Sequence, residues 1–309
     1  MLLSRGIKFA AVAATVGLLG SACSSAVSNT ADPSGTIVAV GAENEYANVI
    51  SQIGGKYVQV TAVESNPNTD PHSFEASPSV AQAVSAAQLI VQNGVGYDTY
   101  MNKIESASPN SARKVIDVQN LLGLPDSTPN PHLWYSPNTM PAVAKAVASD
   151  LGKLRPAHAA YFNARMRTFD SSLQPWYQAI AQFKAAYPGT PVAVTEPVGD
   201  YMLQAAGTDI LTPFTLQADI MNGVDPSPQD IALENSFFTD HKIKVFVYNQ
   251  QVTDSLTESF LKLASQNGIP VVGVYETMPV PGYDYQSWML AEVQAMKKAV
   301  SEKISTQKL

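Results

Sequence analysis

Between residues 162 and 187, apolar side chains recur at alternating steps of four and three: Phe162, Met166, Phe169, Leu173, Trp176, Ile180, Phe183 and Tyr187. This spacing marks one face of a long helix and is the strongest periodic signal in the chain. Pro175 interrupts the stripe and is expected to kink it, because it has no N–H and crowds the carbonyl of residue 171. The stripe is read as a face packed along the rest of the molecule, in preference to an interaction helix. Either way the helix divides the chain in two.

On both sides of that helix, short β-rich runs alternate with helical ones. Before it, "TIVAV" (36–40), "YVQVTAV" (57–63), "LIVQNG" (89–94) and "KVIDV" (114–118) read as strands. "SPSVAQAVSAAQ" (77–88) reads as a helix capped by Ser77, with Pro78 in its first turn. After it, "VAVT" (192–195), "KVFVYN" (244–249) and "PVVGVY" (270–275) read as strands, and 227–242, 253–268 and 285–305 as helices. Such alternation predicts βαβ units. The expected class is α/β: two α/β lobes with parallel sheets, at 36–154 and 188–309, joined by one long helix over 155–187.

With 309 residues the chain can hold two cores, and its formal net charge of −7 gives no basic face for nucleic acid. Residues 1–22 read as an export signal. Arg5 and Lys8 precede the apolar run "FAAVAATVGLLG" (9–20), which is too short to span a bilayer. "GSAC" then leads to Cys23, the only cysteine, placed where a lipid-attachment residue stands. Residues 23–35 have the composition of a flexible tether. A lone cysteine forms no internal disulfide, so the exported fold must rest on its core.

Two of the four histidines sit in matched frames, "DPHSFEASP" (70–78) and "PNPHLWYSP" (129–137). Ligands of open α/β sheets bind outside the carboxyl ends of the strands. His72 follows the strand at 57–63, and His132 follows the one at 114–118. In the second half Glu196 comes directly after "VAVT" and Glu276 directly after "VVGVY". Taken singly, a loop histidine is more often a surface residue, and a glutamate after a strand more often starts a helix. Together, two neutral imidazoles and two carboxylates offer two nitrogens, up to four oxygens and a charge that cancels a divalent cation. This set suits Mn²⁺, Zn²⁺ or Fe²⁺; Ca²⁺ and Mg²⁺ want oxygen alone. The prolines are expected to pre-order the loops, and Phe74 and Trp134 to wall the imidazoles from water. His158, His241 and Glu75 are read as structural residues.

The two Pro-His frames, the long central helix and the strand-exit carboxylates resemble the zinc/manganese solute-binding proteins of bacterial ABC importers, of the TroA-like type, over essentially the whole mature chain. The resemblance implies that His72, His132, Glu196 and Glu276 are the four metal ligands and that the central helix is rigid, so that lobe movements are small. It implies a monomeric receptor, anchored outside the cell membrane through a lipid on Cys23, that hands its metal to a permease. Glu276 stands where the family usually has Asp, and Asn249 lies where relatives often carry an acid. The histidine-rich loop and the disulfide of some zinc receptors are absent, which leans toward manganese. All four donors come from protein, leaving no open position for an activated water, so the chain is expected not to be an enzyme. The rivals are a metal-dependent hydrolase, disfavoured by the lack of H-E-x-x-H and G-x-S-x-G motifs, and a metal-binding surface adhesin.

Overall fold

The computed structural model describes residues 35–309. The expected export signal, Cys23 and nearly all of the tether lie outside the described residues. Strand β1 (Ile37–Glu43) is followed by α1 (Asn44–Gly54), β2 (Val58–Glu64), α2 (Pro78–Ala86), β3 (Leu89–Gln92), α3 (Thr99–Ala107), β4 (Lys114–Asp117) and α4 (Val118–Leu121). Helices α5 (Thr139–Leu154), α6 (Ala159–Ser172) and α7 (Gln174–Ala186) come next. The second half contains β5 (Pro191–Val194), α8 (Asp200–Ala205), β6 (Asp209–Ile210), α9 (Phe214–Met221), α10 (Pro228–Thr239), β7 (Val245–Asn249), α11 (Ser255–Gln266), β8 (Val271–Val274) and α12 (Tyr285–Glu302).

The predicted strands are all present, and both sheets are parallel, in the orders β2-β1-β3-β4 and β6-β5-β7-β8. The orders are equivalent, so each sheet has its topological switch point between its first and third strands. A crevice opens there at the carboxyl edge. The two-residue β6 is an edge strand too short to leave a periodic signal.

Helix starts follow local chemistry. Ser77 and Ser227 accept the N–H of Val80 and Asp230, each with a proline at the first helical position. Asp254 and Asp284 open α11 and α12 with capping boxes. Gly41 is required for another reason. A side chain there would strike the backbone of Ala47, so only glycine lets α1 fold back this closely on β1.

The long stripe lies in the core, with Phe162, Leu173 and Trp176 fully buried. It is carried by two helical segments and not one. The regular helix is interrupted at Leu173, and Pro175 falls in the first turn of α7, where its missing N–H leaves no bond unmade. One continuous core joins Ile37 and Val91 of the first sheet, through this stripe, to Val245 of the second sheet and Met296 of α12. The outer sheet faces have smaller cores of their own, around Ile90 and Met101 and around Phe238 and Phe246. Helix α12 packs along α7 and reaches α1, where Tyr285 N donates to Asn48 Oδ1 at 3.1 Å. The last helix thus belongs to the joining layer as much as to the second lobe. Residues 35–309 form one compact unit.

Trp176→Ala removes one of the largest side chains, fully buried, from this shared core. It should destabilise the protein by about 3–5 kcal/mol, seen as a lower midpoint in urea unfolding followed by circular dichroism.

Candidate metal centre

Both histidine frames use the same local device. Asp70 Oδ1 accepts from His72 N at 2.8 Å, and Asn130 Oδ1 accepts from His132 N at 3.0 Å. The intervening proline fixes its own φ, and the Asx oxygen takes the N–H that follows it. Each frame then makes one 3₁₀ turn, Pro71–Ser73 and Leu133–Tyr135. The ordering assigned to the prolines is therefore shared with the preceding Asx side chain, which the sequence reading left without a role.

The frames differ in environment. The side chains of His132 and Glu276 are 0% exposed, while that of His72 keeps 22% of its surface. One donor atom from each of these three residues lies within 4.8 Å of the others. Both imidazole Nε2 atoms are 3.1 Å from Glu276 Oε2. Trp134 stands edge-on to His132 at 5.4 Å between ring centroids, as expected of a wall. Phe74 does not wall His72; it packs on Tyr100 at 4.9 Å. That place is taken by Tyr97, whose ring is 5.2 Å from His72 and 5.8 Å from His132 and whose hydroxyl donates to Glu276 Oε2 at 2.9 Å. The available signal for Tyr97 was its position just past the exit of β3.

Hydrogen-bond roles fix the protonation of His132. Asn130 Nδ2 donates to the carbonyl of Pro197 at 2.7 Å, and a carbonyl only accepts, so the amide oxygen faces the imidazole. That oxygen lies 2.9 Å from His132 Nδ1, which must carry the hydrogen. Burial, only partly offset by Glu276, holds the His132 pKa below the usual imidazole value, so the ring is neutral near pH 7. Its Nε2 lone pair then points at a carboxylate oxygen 3.1 Å away. Two lone pairs facing each other repel unless a cation, a shared proton or a metal ion, lies between them. His72 differs: burial pulls its pKa down, but Glu276 and Asp70 outweigh that and raise it. Burial pushes the Glu276 pKa up, but the two histidines outweigh it and hold the carboxyl well below the usual range.

Glu196 is buried and adjacent to this group but not within it. Asn249 lies between the two carboxylates, its Nδ2 donating to Glu196 Oε1 at 3.1 Å and to Glu276 Oε1 at 2.7 Å. Glu196 Oε2 is buried with no partner. Burial and then the charge on Glu276 raise the Glu196 pKa, so in this arrangement Glu276 holds the charge and Glu196 the proton. His158 stacks on Tyr57 at 3.9 Å, far along the chain from either frame, in keeping with a structural role.

The sequence reading also missed a set of acids on the first lobe. Glu43 ends β1 opposite Glu64 of β2, and Glu45 lies in the first turn of α1. Their carboxyl oxygens are buried without hydrogen-bond partners. Burial, reinforced by neighbouring acids, raises all three, Glu64 to about 9. Glu64 therefore holds its proton at neutral pH, and burial disfavours the charged form of Glu43 and Glu45 as well.

A family model described as ZnuA, the periplasmic component A of a zinc-uptake complex, matches residues 40–299. The chain is 24% identical over 176 residues to the manganese-binding lipoprotein MntA of Bacillus subtilis, covering 55% of this chain and 56% of the relative. It is 28% identical over 112 residues to the zinc-binding protein TroA of Treponema pallidum, covering 35% of this chain and 36% of the relative. These alignments therefore span about half or less of either relative's length. The solved structure of the periplasmic zinc-binding protein TroA from Treponema pallidum superposes with a TM-score of 0.72 at 18% identity, over 87% of this chain and 100% of that one. At that identity the likeness concerns the fold.

The acids make a prediction independent of any ligand. Glu64 has a folded-state pKa of about 9 against an ordinary 4.5, so the folded state keeps a proton that the unfolded chain has lost. Stability should fall as pH rises between those values, by at most about 1.4 kcal/mol per pH unit per proton. In metal-free protein Glu64→Gln should flatten the decline of melting temperature from pH 5 to pH 9, with the gain over wild type widening toward the alkaline end.

Proposed function

Because the chain belongs to the ZnuA family of periplasmic zinc-uptake components, we propose that it is an extracytoplasmic receptor that captures a divalent transition metal between its two lobes and delivers it to an ABC permease. His72, His132 and Glu276 are the first ligands, and Glu196 is the fourth. The ion replaces the proton that joins His72 to Glu276 and removes the one on Glu196. Residues 1–22 direct export, Cys23 carries the lipid anchor, and 23–35 form the tether. The lobes are 36–154 and 188–309, joined by 155–187, and the receptor works as a monomer. Among the described residues no helix is long and apolar enough to cross a membrane.

The observation that carries this reading is the His132–Glu276 contact. An imidazole whose Nδ1 hydrogen is committed to Asn130 faces a carboxylate oxygen at 3.1 Å through a bare lone pair, and a metal ion is what that geometry accommodates. The protein that binds manganese and the one that binds zinc, to which this chain is similar by sequence, support the same class of cargo. A hydrolase is disfavoured because the carboxylate available as a general base is itself engaged by both imidazoles.

His72→Ala/His132→Ala should abolish stoichiometric Zn²⁺ or Mn²⁺ binding in calorimetry, together with the stabilisation of about 2.7 kcal/mol expected at a hundredfold excess over Kd. Near-wild-type affinity in that double variant would reject the site. Affinity should also fall on acidification through the raised pKa of His72, above the usual 6.5, with protons released on binding at lower pH. Titrations in buffers of different ionisation enthalpy would count them. Asn130→Ala, which frees the tautomer of His132, should weaken metal binding about 10–100-fold while Asn130→Asp retains most of it.

A further inference from the structure

Asn249 closes β7 and is fully buried. Its Oδ1 accepts the backbone N–H of Gln251 at 3.0 Å, which fixes Nδ2 as the end that meets the carboxylates. That nitrogen donates to Glu276 Oε1 at 2.7 Å and to Glu196 Oε1 at 3.1 Å, and an amide nitrogen has two hydrogens to give. One residue thus ties down one oxygen on each carboxylate. What remains is Glu276 Oε2, between the imidazoles and the Tyr97 hydroxyl, and Glu196 Oε2, buried and without a partner.

We infer that Asn249 is the positioning residue that sets how many oxygens the centre offers, and that it thereby favours a four-coordinate, zinc-type cargo over manganese. This rests on the receptor reading above. With Asn249 in place the amide occupies Oε1 of each glutamate, so the donor set is two imidazole nitrogens and the two Oε2 atoms, of which that of Glu276 also accepts from Tyr97. Zn²⁺ is satisfied by four such donors in a tetrahedron, whereas Mn²⁺ prefers six-coordinate, oxygen-rich surroundings. The simplest way for this site to gain donors is for a glutamate to bind through both oxygens. The amide hydrogen bonds oppose that step. Asn249 does so without adding charge, so the two carboxylates still balance one divalent ion. An acid at 249 would leave both Oε1 atoms free and add oxygens of its own.

The experiment is X-ray absorption at the zinc edge on the zinc-loaded full chain, with Zn²⁺/Mn²⁺ competition, for wild type, Asn249→Ala and Asn249→Asp. Asn249→Asp is close in size and keeps an acceptor for Gln251 N, so it tests the idea if the alanine variant is poorly folded. Wild type should show four nitrogen or oxygen donors. The variants should show five or more, with the zinc-over-manganese preference reduced about tenfold or more. Unchanged coordination number and preference in folded variants would overturn the role of Asn249 and leave the receptor reading intact. Five or six donors in wild-type protein would overturn it without any variant. Failure of wild type to bind either ion would overturn both.

Discussion

The centre depends on how firmly the segment from Asn130 to Pro137 is held. Asn130 Nδ2 bonds the Pro197 carbonyl, Tyr201 bonds the Asn130 carbonyl, and Tyr135 bonds the Tyr275 carbonyl, at 2.7, 2.9 and 2.8 Å. Tyr285 and Tyr177 donate to the carbonyls of Trp134 and Pro137. Five side-chain bonds, two donated by the loop and three donated to it by residues far away in sequence, thus fix one short loop of the first lobe to the second lobe and the joining helices. In a buried setting each matters more through the cost of being broken than through the stability gained when it forms. His132 can therefore hold one ring orientation and one tautomer. The loop carrying His72 is tied more lightly, through Gln251 Nε2 to the Thr69 carbonyl, and His72 is the one member of the cluster that solvent touches. Two frames that look alike in the sequence are thus a fixed post and a peripheral arm.

Charge at the centre follows from the same arrangement. No lysine or arginine forms an ion pair with Glu276 or Glu196 among the described residues. Two carboxylates joined through one amide cannot both ionise at low cost unless a cation is present, so Glu276 takes the charge and Glu196 the proton. Burial also disfavours charge on Glu43, Glu45 and Glu64 of the first lobe. In the receptor proposed above, a divalent ion displaces protons from Glu196 and His72 as it binds and adds their charge to that of Glu276.

Much of the fold was legible because its signals are local. The strands announced themselves as short β-rich runs, Ser77, Ser227 and Pro78 marked helix starts, and the stripe from Phe162 to Tyr187 proved to be core. Pro175 was correctly a point of weakness, although the helix breaks at Leu173 where a kink was expected. Three of the four candidate donors, picked from their chain position, come together in the structure, since a parallel sheet brings strand exits to one edge; Glu196 lies beside them across Asn249. Phe74 was misread because nothing in "PHSF" says that its ring turns toward Tyr100. Tyr97 and Asn130 were missed, and Asn249 was noted without a role, for a related reason: their roles are set by partners distant in sequence, as in the bond from Tyr97 to Glu276, 179 positions on.

By itself, then, the sequence determined the alternation that makes two parallel sheets, the layer of helices between them and the residue types able to hold a transition metal. These rest on periodicity, capping and chemical identity, which act within a few residues. Only the tertiary structure decided which nitrogen of His132 is bare, which of two glutamates keeps a proton and which carboxylate oxygens remain free. The reason is that donors and acceptors are assigned in a buried network as a whole. Each amide and imidazole orientation follows from the fixed role of a backbone carbonyl or N–H, here Pro197 and Gln251, that the chain brings near only when folded.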